Sequence, residues 1–306
     1  MPPAVDDPIT AIRTAETLAD LVAITGTDSE HAAYFAAKQL WADHRADTLD
    51  STPPTDSLPG DCVTIDGHRF CVHGITHADT AAEGDYLRDH VSRLLENGAT
   101  VYCEQGIRPM YFRELPAVCA MDDYRWAMQR CQALDVESHL SDVPSEFAGV
   151  TEEFDTLRAQ AQDAVFSLIE SGRDVYGDQF ETALGDVASS LFTSHENAAT
   201  GDDFESFQLT RRAAQDPSAL IELQNYYKRT FLPQPLEREW LRRHDPELEL
   251  LTHARNERMA DYAVYHNEDA TEVHLIVGAA HQPGVTYYFE QYRDGSRTNT
   301  GFEPVA

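Results

Sequence analysis

Between Arg69 and Cys103 the chain spells a strand, a helix and a second strand, and no other stretch restricts the fold so tightly. The run Phe70-Cys71-Val72 is strand-like and leads into Gly74 and His77. Glu83–Glu96 repeats Tyr86, Leu87, Val91, Leu94 and Leu95 on one helical face and closes on Asn97-Gly98. Ala99–Cys103 is another short apolar run, with Glu104 at its end. Two strands joined through a helix are expected to lie parallel in one sheet, with the helix packed over it. Just upstream, Cys62–Ile65 and Arg69–Val72 flank Asp66-Gly67, the pairing that suits a type I′ hairpin turn. The expected fold class is therefore α/β, with a mixed or parallel sheet core and helices on both faces.

The rest of the chain is mostly helical in pattern. Residues 8–50 read as two helices broken near Gly26. The Pro- and Ser-rich stretch 51–60 reads as a linker, dividing a helical extension (1–58) from an α/β domain (59–306). From about 115 to 243 the pattern is a largely helical insert, in which Tyr226-Tyr227-Lys228-Arg229 reads as exposed helix surface. A further helix is expected over Thr252–Tyr265. Val285–Tyr292 fits helix or strand, and Tyr287, Tyr288 and Phe289 pull it toward strand.

Composition excludes several classes of partner. Fifty-three acidic residues against 23 basic ones give a formal charge of −30, and only Lys38 and Lys228 are lysines. Acid spread along the whole chain suits a halophilic, salt-in cytoplasm, where charge repulsion is screened. No basic patch points to nucleic acid or an anionic membrane. Five cysteines without C-x-x-C spacing read as buried or free thiols rather than a disulfide framework or a thiolate zinc site. The N-terminal residues carry no signal-peptide pattern, and no run of about 18 apolar residues suggests a membrane span. A cytoplasmic location is expected; a homo-oligomer leaves no signature to read.

The chemistry concentrates at two similar strand ends. Val273–Val277 runs into Gly278 and then His281, as the earlier run does into Gly74 and His77. Gly74, Gly278 and Gly284 read as backbone turns. His77 and His281, with Glu104 from the strand between them, are candidate catalytic residues just beyond strand ends, where α/β ligand sites collect. Two histidines and a carboxylate suit a divalent metal (Mn, Co or Zn); a metal-free reading uses a histidine as general base with Glu104 orienting it or activating water. Arg108 and Arg255 suit bidentate binding of a substrate carboxylate or phosphate, or else an ion pair with Glu104 or another acid. Asn256 is read as a substrate-binding residue beside Arg255, with a strand-end cap or a group that orients a histidine as the other readings. His73 and His274, inside the strands, read as structural, and alternation turns Cys103 away from the glutamate.

In order along the chain, Gly74-Ile75-Thr76-His77, Glu104-Gln105-Gly106-Ile107-Arg108, Arg255-Asn256-Glu257-Arg258-Met259-Ala260 and Gly278-Ala279-Ala280-His281-Gln282-Pro283-Gly284 resemble the motif set of the TraB/PrgY family and its GumN and TIKI relatives. The resemblance covers pieces of residues 61–306. It implies an α/β core shared with erythromycin-esterase-like and ChaN-like proteins, and a metal-dependent peptidase site of the TIKI type acting on a peptide or small-molecule substrate. The alternative it carries is a non-enzymatic peptide- or haem-binding module on the same fold. Two features depart from the family: the C-terminal membrane spans common in TraB proteins are missing, and residues 115–243 match none of its motifs.

Overall fold

The computed structural model describes residues 7–49, 52, 57–104, 115, 118–121, 123–134, 145–192, 200–267, 269–298 and 302. Helices α1 (Pro8–Thr14), α2 (Leu18–Thr25) and α3 (Glu30–Thr48) precede strands β1 (Asp61–Ile65) and β2 (His68–Ile75). Helix α4 (Ala81–Glu96), strands β3 (Thr100–Cys103) and β4 (Val118–Ala120), and helices α5 (Asp123–Ala133), α6 (Ser145–Tyr176) and α7 (Asp178–Phe192) follow. Then come α8 (Phe204–Gln215), α9 (Leu220–Thr230), α10 (Gln234–His244), α11 (Pro246–Leu251), α12 (His253–Tyr265), β5 (Glu272–Gly278) and α13 (Gln282–Arg293).

The five strands form one mixed sheet in the order β1-β2-β5-β3-β4. β1 is antiparallel to β2, and all other pairings are parallel. The strand–helix–strand unit is present, but its two strands are not neighbours. β5, which arrives last, slots between them and pairs with both. Strand alternation divides the core. Phe70, Val72, Val273, Leu275 and Val277 face α12 and α13, packing with Met259, Val285 and Phe289. Ile75, Val101, Cys103 and Ile276 face the other way, onto Leu87 and Val91 of α4. The α/β class with helices on both faces is what the chain forms.

Several local expectations are corrected. The described residues 7–49 make three helices rather than two, because Thr17 and Asp20 cap each other reciprocally and restart the chain at Leu18. The region read as a helical insert also supplies β4, an edge strand only three residues long and too short to show a period. The tail is helical: Pro283 sits in its first turn, and Val285, Tyr288, Phe289 and Tyr292 bury one helical stripe. Tyr226, Tyr227 and Lys228 are buried, with Lys228 Nζ 2.8 Å from Asp61.

The cysteine reading is also overturned, since Cys62 and Cys71 form a disulfide. The hairpin turn, with Asp66 and Gly67 both at positive φ, fixes a register in which those two residues face each other across β1 and β2. Cys103, Cys119 and Cys131 are not disulfide-bonded.

The N-terminal helices share a core with α10, where Tyr34 stacks on Trp240 at 4.1 Å between ring centres. Among the described residues no helix is long and apolar enough to cross a membrane.

Candidate functional site

At the C-terminal ends of β2, β5 and β3 the chain leaves the sheet three times, and each exit delivers one side chain to the same cleft. The cleft has a volume of about 210 Å³ and is lined by Thr76, His77, Glu104, Tyr227, Gly278 and His281, among others. Glu104 is the first residue after β3, and its own N–H donates to Ile276 O at 2.9 Å, so its position follows from strand pairing.

Glu104 is buried, and its two oxygens face different partners. Oε1 accepts from Arg255 Nη2 at 2.6 Å and lies 3.4 Å from His281 Nε2. Oε2 accepts from the Gly278 backbone N–H at 2.7 Å and lies 3.4 Å from His77 Nε2. Burial works to raise the carboxyl pKa, but His281, His77 and Arg255 together outweigh it and hold the group well below the usual carboxylate range. Glu104 is therefore a fixed anion, unsuited to act as a general acid.

His281 is held in one tautomer. Its Nδ1–H donates to Asn256 Oδ1 at 2.7 Å, and Asn256 is itself anchored by donating Nδ2–H to Gln234 Oε1 at 3.2 Å. That leaves Nε2 unprotonated and facing the cleft. Burial pushes the His281 pKa down to about 4, so the ring is neutral near neutrality. Asn256 thus orients a histidine.

His77 has φ +59, a left-handed conformation that is costly for a residue with a β-carbon. The loop is fastened by Glu83, a fully buried residue in the first turn of α4. Its Oε1 accepts from Thr76 N–H at 2.8 Å and its Oε2 from Ala78 N–H at 3.2 Å. The Nδ1 atom of His77 is buried without a hydrogen-bond partner among the described residues.

Arg255, expected to hold substrate, is instead taken up by the protein. Its Nε–H donates to Asp123 Oδ2 at 2.6 Å and its Nη2 to Glu104, while Nη1 reaches Leu251 O at 3.3 Å. The ion-pair reading of this residue is the one the structure shows. Burial raises the pKa of Asp123, with the nearby Glu104 charge adding to it, while Arg255 opposes both. Arg108 lies outside the described residues.

The three motif glycines serve close approach rather than turning, since none has a positive φ. A β-carbon on Gly278 would sit 2.9 Å from His77 Nε2, and one on Gly284 would sit 2.1 Å from Asn256 Nδ2. One on Gly74 would meet the Ala279 backbone at 2.8 Å.

Reasoning from the sequence missed Asp123, Glu83, Gln234 and Tyr227. Only Glu83 left a readable trace, standing three residues after the capping Thr80. No protein-family profile matches this chain, and no curated protein does.

Proposed function

We propose that the cleft is a hydrolytic active site of the TraB/TIKI type, cleaving a peptide or another small acyl substrate. The observation that carries this reading is the pairing of a bare, neutral His281 Nε2 with the permanently ionised Glu104 3.4 Å away. His281 accepts a proton from water as it attacks the substrate carbonyl. The imidazolium so formed points its new N–H at Glu104 Oε1, and Asn256 keeps the ring aligned throughout. His77 stands on the other oxygen of the same carboxylate.

The donor types also suit a divalent cation. His77 Nε2, His281 Nε2 and Glu104 would hold it, each histidine nitrogen standing 3.4 Å from one oxygen of the carboxylate. The buried cluster of Glu104, Asp123 and Arg255 keeps a net negative charge, which favours a cation. The histidines meet opposite oxygens, so the set is more open than the three donors of Cys71, Glu272 and His274, whose ligand atoms fall within 4.8 Å of one another. A bound ion would occupy the His281 lone pair, so the ring would then be a ligand and not the base, and the ion would supply Lewis acidity and a more acidic water in its place.

A cleft of about 210 Å³ lies below the roughly 300–1,000 Å³ of ordinary small-molecule pockets, which favours one residue-sized group over a macrocycle such as haem. The test is a peptide and ester screen at high salt, with elemental analysis of untagged protein. Hydrolysis that disappears in His281→Ala and Glu104→Gln supports the reading. A folded wild type that cleaves nothing, with or without added Mn, Co or Zn, overturns it.

A further inference from the structure

At the opposite end of the sheet from the cleft, three potential ligands converge that the proposed hydrolytic chemistry does not use. Strand register puts Cys62, Cys71 and His274 in one row across β1, β2 and β5, and pairs Arg69 with Glu272 beside it. One ligand atom from each of Cys71, His274 and Glu272 lies within 4.8 Å of the others, the tightest such group among the described residues. Cys71 and His274 are buried, while Glu272 is half-exposed and opens the group to solvent.

A hydrogen-bond chain fixes the protons on the two histidines. The Pro59 carbonyl can only accept, so His73 Nδ1, 3.0 Å away, carries a hydrogen. The neutral His73 ring therefore has a bare Nε2, which accepts from His274 Nδ1–H at 2.8 Å. His274 is left with a bare Nε2, buried and without a hydrogen-bond partner among the described residues, 3.3 Å from Glu272 Oε1. An imidazole lone pair, a carboxylate oxygen and a sulfur face one another, and the carboxylate oxygen accepts an N–H from Arg69 at 2.6 Å. Ligating histidines are typically set up in this way, with the far N–H donated to a fixed acceptor.

We propose that Cys71, His274 and Glu272 form a binding site for zinc or a similar soft divalent ion, and that Cys62 is its lock. In the disulfide form the Cys71 sulfur is neutral and bonded to Cys62, so it cannot act as a thiolate ligand. A dithiol reductant opens the lock. Two electrons and two protons pass to the Cys62–Cys71 bond, giving two thiols while the reductant becomes a disulfide. The metal then displaces the Cys71 thiol proton and binds the thiolate, with His274 Nε2 and Glu272 completing the protein ligands. Arg69, which donates to Glu272 at 2.6 Å and to Cys62 Sγ at 3.3 Å, must swing away; it is exposed enough to do so.

Cobalt is the probe, because a thiolate–cobalt charge-transfer band reports sulfur ligation and the cleft residues His77, Glu104 and His281 hold no sulfur. The full-length chain is reduced with dithiothreitol, desalted anaerobically and titrated with Co²⁺. One equivalent should bind with the charge-transfer band, and the oxidised protein should show no band. Cys62→Ser should show the band without any reductant, Cys71→Ser should lose it, and Glu272→Gln should weaken binding about tenfold or more. No band in the reduced wild type, or a band that survives in Cys71→Ser, overturns the site. A full band in the oxidised wild type overturns the lock. Neither result depends on whether the cleft is hydrolytic.

Discussion

Asn256 Oδ1 sits 2.7 Å from His281 Nδ1, and that one contact decides which nitrogen of the histidine faces the cleft. Without it, neutral His281 could carry its hydrogen on Nε2, where it would be neither a base nor a ligand. Asn256→Ala should therefore lower the cleft's affinity for a divalent ion about 10–100-fold, the usual effect of losing a group that orients a ligand. Titration calorimetry in the Cys71→Ser background isolates the cleft. Unchanged affinity would show that the tautomer is set by something else.

Gly278→Ala tests the close approach of backbone to side chain. Its β-carbon would stand 2.9 Å from His77 Nε2 and 3.5 Å from Glu104 Oε2. The glycine has no positive φ, so the backbone itself tolerates alanine, and the cost should stay within about 1–3 kcal/mol of overpacking. Activity and metal binding should fall more than tenfold while thermal unfolding stays cooperative. A variant with full activity would show that His77 is free to move aside.

Arg255 is a buried cation shared by two buried carboxylates. Removing it with Arg255→Met leaves Glu104 and Asp123 uncompensated, and urea unfolding should report a loss of about 3–5 kcal/mol. Arg255→Lys should recover only part of this, because one ammonium cannot reproduce the fork that spans both acids. A loss below about 1 kcal/mol in Arg255→Met would mean that the two carboxylates find other partners.

His253 carries a pH signature. Burial pushes its pKa from the ordinary 6.5 down to about 3, and the charges of Lys38, His281 and Arg238 add to the effect. As pH falls through 6.5 the unfolded chain takes up a proton that the folded chain refuses until about 3. The contribution to stability is complete above 6.5 and is lost on acidification, by up to about 1.4 kcal/mol per pH unit for one proton. The large negative charge acts in the opposite direction, so the comparison with His253→Asn is the readout. Between about pH 7 and about pH 5 the variant should lose less stability than the wild type. Parallel curves would rule His253 out as the titrating group.

Features that depend on local periodicity were legible in the sequence: the hairpin, the strand–helix–strand unit, and the placing of His77, Glu104 and His281 at strand ends. Features set by distant packing were not. Asp123 lies 132 residues from the Arg255 it holds, and nothing near either residue announces the pair. Strand β4 is too short to show alternation. The tail's aromatics suggested strand propensity, but a 3–4 residue spacing of buried positions placed them in a helix. The disulfide was within reach: a two-residue turn at Asp66-Gly67 pairs Ile65 with His68, and counting outward pairs Cys62 with Cys71.

The insertion of β5 between β2 and β3 also sets a timetable for the newborn chain. While residues 272–278 are still inside the ribosome, β2 and β3 have no common neighbour, and Glu104 lacks Gly278, Arg255 and His281 together. The half-made sheet must wait with an unfilled central slot, the long-range kind of topology that generally folds slowly and leaves strand edges exposed meanwhile. The same order of events keeps the cleft unassembled until β5 and His281 have been synthesised.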